Sequence, residues 1–514
     1  MPDENFDLQF SDDGRIIDFL DGSLLERRPE ELVRQRYLRI LHFEYGYPKE
    51  ALRQEVPIYH GGAEVRDAEG NPIRADIVVY HSVEAAQEGD QGQIRLVIEC
   101  KAPTVTAGYN QLVSYIYNTS AEGGVWFNGA GDREEIEYYR RETAPLNALV
   151  TWIGIPRARE TWDALGRRRK SDLVKPRDIK GLLRRCHNRL HGRGAGGEEE
   201  DLTMDMVRII LAKAQDEERP GEYPDFYCTP DEYASEGGRT AVAGRINGLF
   251  SEAKRLNASV FSEHETITVS PRAICDVVIE LQAYQLVADL HDAHDWDVMG
   301  AAYEQYTSAS LRRERGQFFT NRLVVNFLIG ALNPAYTDKI LDPAGGSGGF
   351  LTGAMRHVRK KILSSNDGEI AKKRQLDRFK NHLFMVEQSR RLVKVAKTAM
   401  ILNGDGHTGM TAGDSLGPYA QFDETIVAQC ARGVPSVVVT NPPFAGVGEG
   451  RITEPEVLRR FRTGKRWEVT NGVFTQGADL ATGGCPTGAF VFRALHRLVS
   501  ARRTSRHRPP KKLC

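Results

Sequence analysis

The chain of 514 residues lacks the marks of several protein classes at once. Its seven cysteines include no C-x-x-C pair, which argues against a zinc module or a disulfide scaffold and fits a reducing cytoplasm. No apolar run approaches the roughly 20 residues of a membrane helix, and the acidic start MPDENFDLQFSDDG is not a secretory leader. The phosphate loop G-x-x-x-x-G-K-[ST] does not occur, so no nucleotide-driven motor is expected. Surplus charge of one sign is missing too: 69 Lys and Arg face 70 Asp and Glu. Any nucleic-acid contact must then come from local patches, because the whole-molecule field is close to balanced.

What is there reads as an ordinary globular protein. The residues are 40% hydrophobic and 27% charged, and the length suggests two or three domains. From Pro29 to about Tyr47, Leu32, Tyr37, Leu38, Ile40 and Leu41 fall at helical spacing. Runs rich in β-formers follow at Glu55–Tyr59, Asp76–Tyr80, Ile94–Glu99 and Gly124–Phe127, which predicts a small α/β unit over residues 1–140. Residues 141–201 change character. Arg167 to Lys170, then Lys175, Arg184 and Arg185, lead to glycines between Gly192 and Gly197 and to the acids Glu198–Asp201. Opposite-sign blocks beside glycines predict a solvated linker, with a phosphate-tracking surface as the other reading. Residues 202–310 read as a helical domain, with helices at Met204–Ala214, Ala241–Leu256 and Ala273–Leu290. Over residues 311–486, predicted strands at Lys339–Leu341, Leu383–Val386 and Ser436–Thr440 alternate with helices, one from about Phe350 and one through Met400. That order predicts a parallel, doubly wound, Rossmann-like sheet, so the fold class is α/β.

Two constellations carry chemistry. In the first, Asp76 opens one predicted strand and Glu99-Cys100-Lys101 closes a later one. Residues two apart on a strand share a face, so Glu99 and Lys101 project together, and Asp76 joins them if the strands pair. Two carboxylates can hold a magnesium-type cation while the lysine orients or helps activate a water for phosphodiester attack. Taken alone, the spacing D-x22-E-x-K also suits two surface acids and a lysine at strand ends.

The segment resembles the amino-terminal nuclease domain in the restriction subunit of type I restriction–modification systems. Five stretches carry the likeness: Pro29-Glu30-Glu31-Leu32-Val33-Arg34-Gln35, Tyr45-Gly46-Tyr47-Pro48-Lys49, Arg74-Ala75-Asp76, Glu99-Cys100-Lys101-Ala102-Pro103 and Phe127-Asn128-Gly129. The resemblance covers roughly the first 140 residues and implies a PD-(D/E)xK-type nuclease fold. It also implies that Asp76 and Glu99 bind Mg2+ for a DNA endonuclease activity and that Glu31 is a supporting upstream acid. Gln111 and Tyr115 would be the family's Q-x3-Y pair, four apart on one helix face.

In the second constellation, the strand Ile340-Leu341 runs into Asp342-Pro343-Ala344-Gly345-Gly346-Ser347-Gly348-Gly349-Phe350. Glycines at a strand-to-helix turn allow backbone shapes closed to other residues and let a cofactor approach the main chain. Such a loop alone suits any nucleotide-binding α/β domain. Glu387 closes the next strand, where an acid can accept hydrogen bonds from ribose hydroxyls. Val437-Val438-Val439-Thr440 then leads into Asn441-Pro442-Pro443-Phe444. The prolines fix the backbone and remove two N–H donors, so the Asn441 side-chain oxygen and the Pro442 carbonyl are left as acceptors for an exocyclic amino group. Phe444 can stack on an extruded base.

These residues resemble the adenine-specific DNA methyltransferases of the type I modification-subunit family, over about residues 200–475. Gly316-Gln317-Phe318-Phe319-Thr320 matches the family's motif for the methionine end of S-adenosylmethionine. The resemblance implies that Gln317, Phe318, Phe319 and Thr320, the loop Asp342 to Gly349 (Ala344, Gly345, Gly346, Ser347 and Gly348 within it), Glu387 and Asp414 bind S-adenosylmethionine. Asn441, Pro442, Pro443 and Phe444 would form the catalytic clamp around adenine N6. Double-stranded DNA and a separate specificity subunit are the implied partners, in the cytoplasm and away from membranes.

The end of the chain does not fit this expectation. A doubly wound methyltransferase needs more sheet after the Asn441 strand, yet residues 487–514 end in Arg502-Arg503-Thr504-Ser505-Arg506-His507-Arg508-Pro509-Pro510-Lys511-Lys512. Read one base further along from about Thr487, compatible codons can spell an amphipathic helix, a Pro-Gly-Gly turn and an apolar strand, similar to the family's segment here. A shifted frame from near residues 475–487 is therefore expected, leaving the sheet incomplete and residues 487–514 as an out-of-frame tail. Two other functions stay open: a catalytically inactive DNA-binding remnant, and a methyltransferase acting on protein glutamine. The latter more typically carries Tyr where this chain has Phe444.

Overall fold

A computed structural model of the chain describes residues 6–67, 70–103, 105–129, 135–143, 147–192, 199–287, 320–404, 407–418, 421–430, 434–442, 451–481, 483, 485–486 and 512–513. Two compact units are present, one of residues 1–197, 215–252 and 266–286, the other of residues 198–214, 253–265 and 287–514. Among the described residues no helix is long and apolar enough to cross a membrane.

In the first unit, helix α1 (Pro29–Phe43) places Pro29 at its start and Glu30 and Glu31 in its first turn. Proline gives up no helical hydrogen bond there, and acids suit the positive end of the helix dipole. Of the residues its spacing singles out, Tyr37, Leu38, Ile40 and Leu41 are buried and Leu32 is half-buried; Val33 is buried as well. A six-stranded sheet follows, built from β1 (Leu52–Pro57), β2 (Arg74–Tyr80), β3 (Ile94–Cys100), β4 (Gly123–Phe127), β5 (Ile136–Glu142) and β6 (Ala148–Trp152), in the order β6-β5-β4-β3-β2-β1. Neighbours run antiparallel except β3 and β4, which are parallel and joined through helix α2 (Tyr109–Asn118). Every residue of β3 is buried. That is why its sequence reads as an apolar run rather than an alternation.

Three expectations are corrected. The sheet does not stop at residue 140, since β5 crosses that position and β6 follows it. Residues 141–201 are not a solvated linker throughout. Helix α3 (Ile179–Gly192) buries Leu182, Leu183, Cys186 and Leu190. Arg185 and Arg189 both reach Glu280 on helix α4 (Pro271–Leu281), at 2.9 and 2.7 Å. Arg168, from the basic run, holds Glu160 through two N–H donors at 2.7 and 2.8 Å. Basic composition concealed an apolar stripe at helical spacing. Residues 202–310 are not a body of their own either, because the helices of residues 202–286 are divided between the two units. The tip at residues 193–198 and residues 288–319 lie outside the described residues.

The second unit holds a parallel sheet of β7 (Ile340–Asp342), β8 (Leu383–Glu387), β9 (Met410–Ala412), β10 (Val437–Val438) and β11 (Lys512–Leu513), in the order β9-β8-β7-β10-β11. All neighbours run parallel, and it is the order of the strands that reverses at β7: β8 and β9 lie on one side of it and β10 on the other, as a doubly wound sheet requires. Alternate residues feed two cores: Ile340, Leu383, Met385 and Val437 on one face, Leu341, Phe384, Val386 and Val438 on the other. Helices α5 (Gly349–Leu363) and α6 (Arg390–Leu402) follow β7 and β8. The two residues of β11 run parallel to β10, in the position expected to be empty; residues 487–511 of the expected out-of-frame tail lie outside the described residues.

Candidate functional site

Pairing of β2 with β3 (Ile77 opposite Ile98) brings the first constellation together. Asp76 Oδ2 accepts the Cys100 N–H at 2.7 Å, and the Lys101 ammonium pairs with Glu99 while standing 3.6 Å from Glu30. Helix α2 begins hard against the lysine: a Cβ on Gly108 would fall 2.7 Å from Lys101 Cε, and the residue sits at φ +122°. Only glycine permits that approach. Tyr115 on α2 is buried beside Glu99, whereas Gln111, one turn earlier, is exposed.

Electrostatics follow from burial. Glu99 is 1% exposed, and burial with Asp76 nearby pushes its carboxyl up to about 8 despite Lys101. Burial likewise raises Asp76, against the Cys100 N–H and Arg34. Although burial disfavours its charge, Glu99 and Asp76 hold the Lys101 ammonium above its ordinary pKa. Among the described residues Glu99 Oε2 has no hydrogen-bond partner. Among the described residues no three His, Cys, Asp or Glu side chains converge into a ready-made cage. Mg2+ needs only one or two carboxylates and keeps its waters, so Asp76 and Glu99 have the donor chemistry such a cation would require.

Two participants escaped the sequence reading. Arg34, on α1 one turn after Glu31, pairs with Glu31 and with Glu55, and its Nη1 lies 3.4 Å from Asp76 Oδ1. Glu31 is buried and also accepts from Gln35 at 3.1 Å. Glu55 lies within β1 at φ +53°, a left-handed backbone unusual for a strand residue. The E-x-x-R spacing of Glu31 and Arg34 was a readable signal; nothing local marked Glu55.

At the second constellation, β7 ends on buried Asp342, which accepts the Ala344 N–H at 3.2 Å and is pushed by burial up to about 7. The chain then turns through glycines into α5. Gly346 and Gly348 take φ +54° and +84°, and a Cβ on Gly345 would fall 2.2 Å from Met385 Cγ. On Gly346 a Cβ would meet nothing within 4 Å, so the front of the loop borders open space that a cofactor can fill. Glu387 at the end of β8 grips this loop, accepting Gly346 N–H at 3.0 Å and Ser389 N–H at 2.9 Å. Exposed Asp414 follows β9 and accepts Leu416 N–H at 2.9 Å; the neighbouring Ser415 hydroxyl donates to the Pro343 carbonyl.

Asn441 and Pro442 follow β10, immediately beside β7. Asn441 Nδ2 donates to Thr320 Oγ1 at 3.1 Å, so two motifs far apart in sequence meet. Gln317, Phe318, Phe319, Pro443 and Phe444 lie outside the described residues.

Residues 29–144 match the family described as the type I restriction enzyme R protein N terminus, and residues 294–475 match the N-6 DNA methylase family. An R-protein N-terminal domain and an N-6 DNA methylase domain share this chain. Among known proteins the chain is 27% identical over 167 residues to the type I restriction enzyme EcoEI methylase subunit of Escherichia coli, covering 32% of this chain and 31% of that one. It is 28% identical over 153 residues to the type II restriction enzyme and methyltransferase RM.BcgI of Heyndrickxia coagulans, covering 29% and 22%. The matches thus span about a third or less of these relatives' length. A solved type I restriction-modification system methyltransferase subunit from Streptococcus thermophilus aligns with a TM-score of 0.35 at 16% identity, over 62% of this chain and 72% of that one. The R-protein domain contains Arg34, Glu55, Asp76, Glu99 and Lys101, and the methylase domain contains Asp342, Glu387, Asp414 and Asn441.

Proposed function

We propose that the chain is an adenine-specific DNA methyltransferase of a restriction–modification system, acting on double-stranded DNA in the cytoplasm together with a specificity subunit. One observation carries this reading: β7 and β10 are paired neighbours, so the glycine loop and Asn441-Pro442 emerge side by side at the carboxyl ends of the strands. Ligands of doubly wound sheets bind at that switch point. S-adenosylmethionine, when bound, supplies the electrophilic methyl group.

The protein's own residues do the rest. The loop Gly345–Gly348 offers its backbone to the cofactor, Glu387 and Asp414 offer carboxylates for its ribose and base, and Thr320 stands at its methionine side. Because Asn441 Nδ2 is engaged by Thr320, Asn441 Oδ1 is left to accept from the amino group of a flipped adenine. The Pro442 carbonyl is the second acceptor. Together they stabilise the positive charge that grows on the nitrogen during in-line attack. Pro443 and Phe444, outside the described residues, are assigned to the clamp by the sequence motif alone.

The test uses the purified chain, its specificity subunit, unmodified duplex DNA and tritiated S-adenosylmethionine. Labelled N6-methyladenine is expected, and methylome maps of cells with and without the gene should differ at one motif. Failure of both leaves the inactive DNA-binding remnant as the better reading.

For the R-protein domain the paired acids and lysine favour a PD-(D/E)xK-type nuclease fold with a Mg2+-dependent endonuclease activity. Asp76 and Glu99 would hold the cation, and Lys101 and Tyr115 would border it, with Gln111 at the rim. Nicking of unmethylated plasmid in Mg2+, lost in Asp76→Asn, checks this half.

A further inference from the structure

The registers of β1 with β2 (Gln54 opposite Ile77, Val56 opposite Ala75) and of β2 with β3 (Ile77 opposite Ile98) continue to one row. Extending these registers by one position sets Glu55 opposite Asp76 and Asp76 opposite Glu99. Like charges directly across a sheet repel, so three acids in one row are destabilising unless something neutralises them. Glu30 and Glu31, from α1, reach the same cluster through Lys101 and Arg34. Five carboxyl groups therefore face two cations, Arg34 and Lys101, a surplus of three negative charges when all are ionised and of two while Glu99 keeps its proton.

The contacts are unequal. Arg34 is bound closely by Glu31 and Glu55 but stands 3.4 Å from Asp76 Oδ1. That oxygen is the one Asp76 has left to offer, because Oδ2 is taken by the Cys100 N–H. Independently, Glu99 is 1% exposed with its Oε2 lacking any hydrogen-bond partner among the described residues, a buried acceptor with a ligand still to find.

We propose that Arg34 is an internal counter-cation that exchanges with a divalent metal ion for Asp76, and that Glu55 is the acid that draws it aside. The inference rests on reading this cluster as a divalent-cation site. When a cation takes Asp76 Oδ1 and Glu99 Oε2, Arg34 gives up only its longest contact and keeps the two closer ones. The five acids are then balanced by Arg34, Lys101 and the metal to a formal charge of minus one. Arg34 and Glu55 are positioning residues: they set how readily the site loads.

The experiment is Mn2+ binding to the full chain, followed by calorimetry and by electron paramagnetic resonance of the bound ion, with Mg2+ as competitor. Arg34→Met is expected to bind Mn2+ roughly tenfold more tightly, since removing a positive charge a few ångström away strengthens a divalent ion by about that factor. Glu55→Gln should weaken binding several-fold, and by more than Glu30→Gln, which removes an equal charge from the Lys101 side. Glu55 is 52% exposed, so its variant keeps the fold and decides the matter even if Arg34→Met unfolds. Unchanged or weaker binding in Arg34→Met, or equal effects of Glu55→Gln and Glu30→Gln, overturns the exchange while leaving the metal site standing. Absence of binding in the unmodified chain and in Arg34→Met, or binding that survives Asp76→Asn, overturns the metal site itself.

Discussion

The two sites are built from different materials. In the R-protein domain the chemistry sits in side chains that hold one another by charge: Arg34 on Glu31, Glu55 and Asp76, and Lys101 on Glu99 and Glu30. In the methylase domain it sits largely in the backbone: the Gly346 N–H on Glu387, a left-handed loop, and Pro442, which has no N–H of its own. A site of the first kind is sensitive to pH and to charge-changing substitution. A site of the second kind is sensitive above all to added carbon. The difference also explains the unequal texts the two leave: backbone needs glycine and proline in a contiguous run, whereas charge clusters draw acids from separate elements.

The sharpest challenge to this contrast is Asn441→Ala, which removes the side-chain oxygen placed to accept from the target amino group. Methyl transfer is expected to fall by at least about 100-fold, with cofactor affinity unchanged. A loss of affinity instead would mean that Asn441 shapes the pocket rather than the reaction.

A smaller effect separates two neighbouring glycines. Gly345→Ala drives a Cβ to 2.2 Å from Met385 Cγ, whereas Gly346→Ala meets open space and bears only the left-handed strain of φ +54°. That strain costs about 1 kcal/mol. Melting temperature and cofactor affinity should both fall further in Gly345→Ala. Equal behaviour would argue against steric control of the loop.

The charge-built site is probed by pH. Glu99 titrates near 8 in the folded protein against an ordinary 4.5, so the folded state holds an extra proton between those values. Stability contributed at this position therefore declines as pH rises across that window and is level above it. Relative to Glu99→Gln, the unmodified protein should lose a few degrees of melting temperature between about pH 5 and about pH 8. A difference that stays constant over this range would show that Glu99 is not held protonated.

The smallest effect is expected at Gln111. It is exposed on α2, so Gln111→Ala should shift stability by no more than about 0.5 kcal/mol in a denaturant titration. A larger loss would mean that the residue is already engaged in the resting protein.

Much of the fold was legible because its signals are local. The apolar run of β3, the spacing in α1 and the glycine loop after β7 are each contained within about fifteen residues. Asp76, Glu99 and Lys101 could be grouped from spacing alone, given one assumed strand pairing. Helix α3 was missed because its buried Leu182, Leu183, Cys186 and Leu190 are diluted by arginines, two of which turn inward to Glu280. Glu55 was missed for another reason. Its place in the acid row depends on the register of β1 against β2, which no local pattern encodes. The bond between Thr320 and Asn441 likewise spans 121 positions and exists only once the sheet has formed.

The left-handed backbone at Glu55 has a consequence for how this protein could change over time. An acid in that conformation costs roughly 1 kcal/mol that glycine would not. A glycine at this position would thus steady the strand and make the cluster less repulsive. Lineages that no longer used the acid row would gain robustness by losing Glu55 first. On the proposal that the acid row takes a metal ion, Glu55 is a stability sacrifice made for that site.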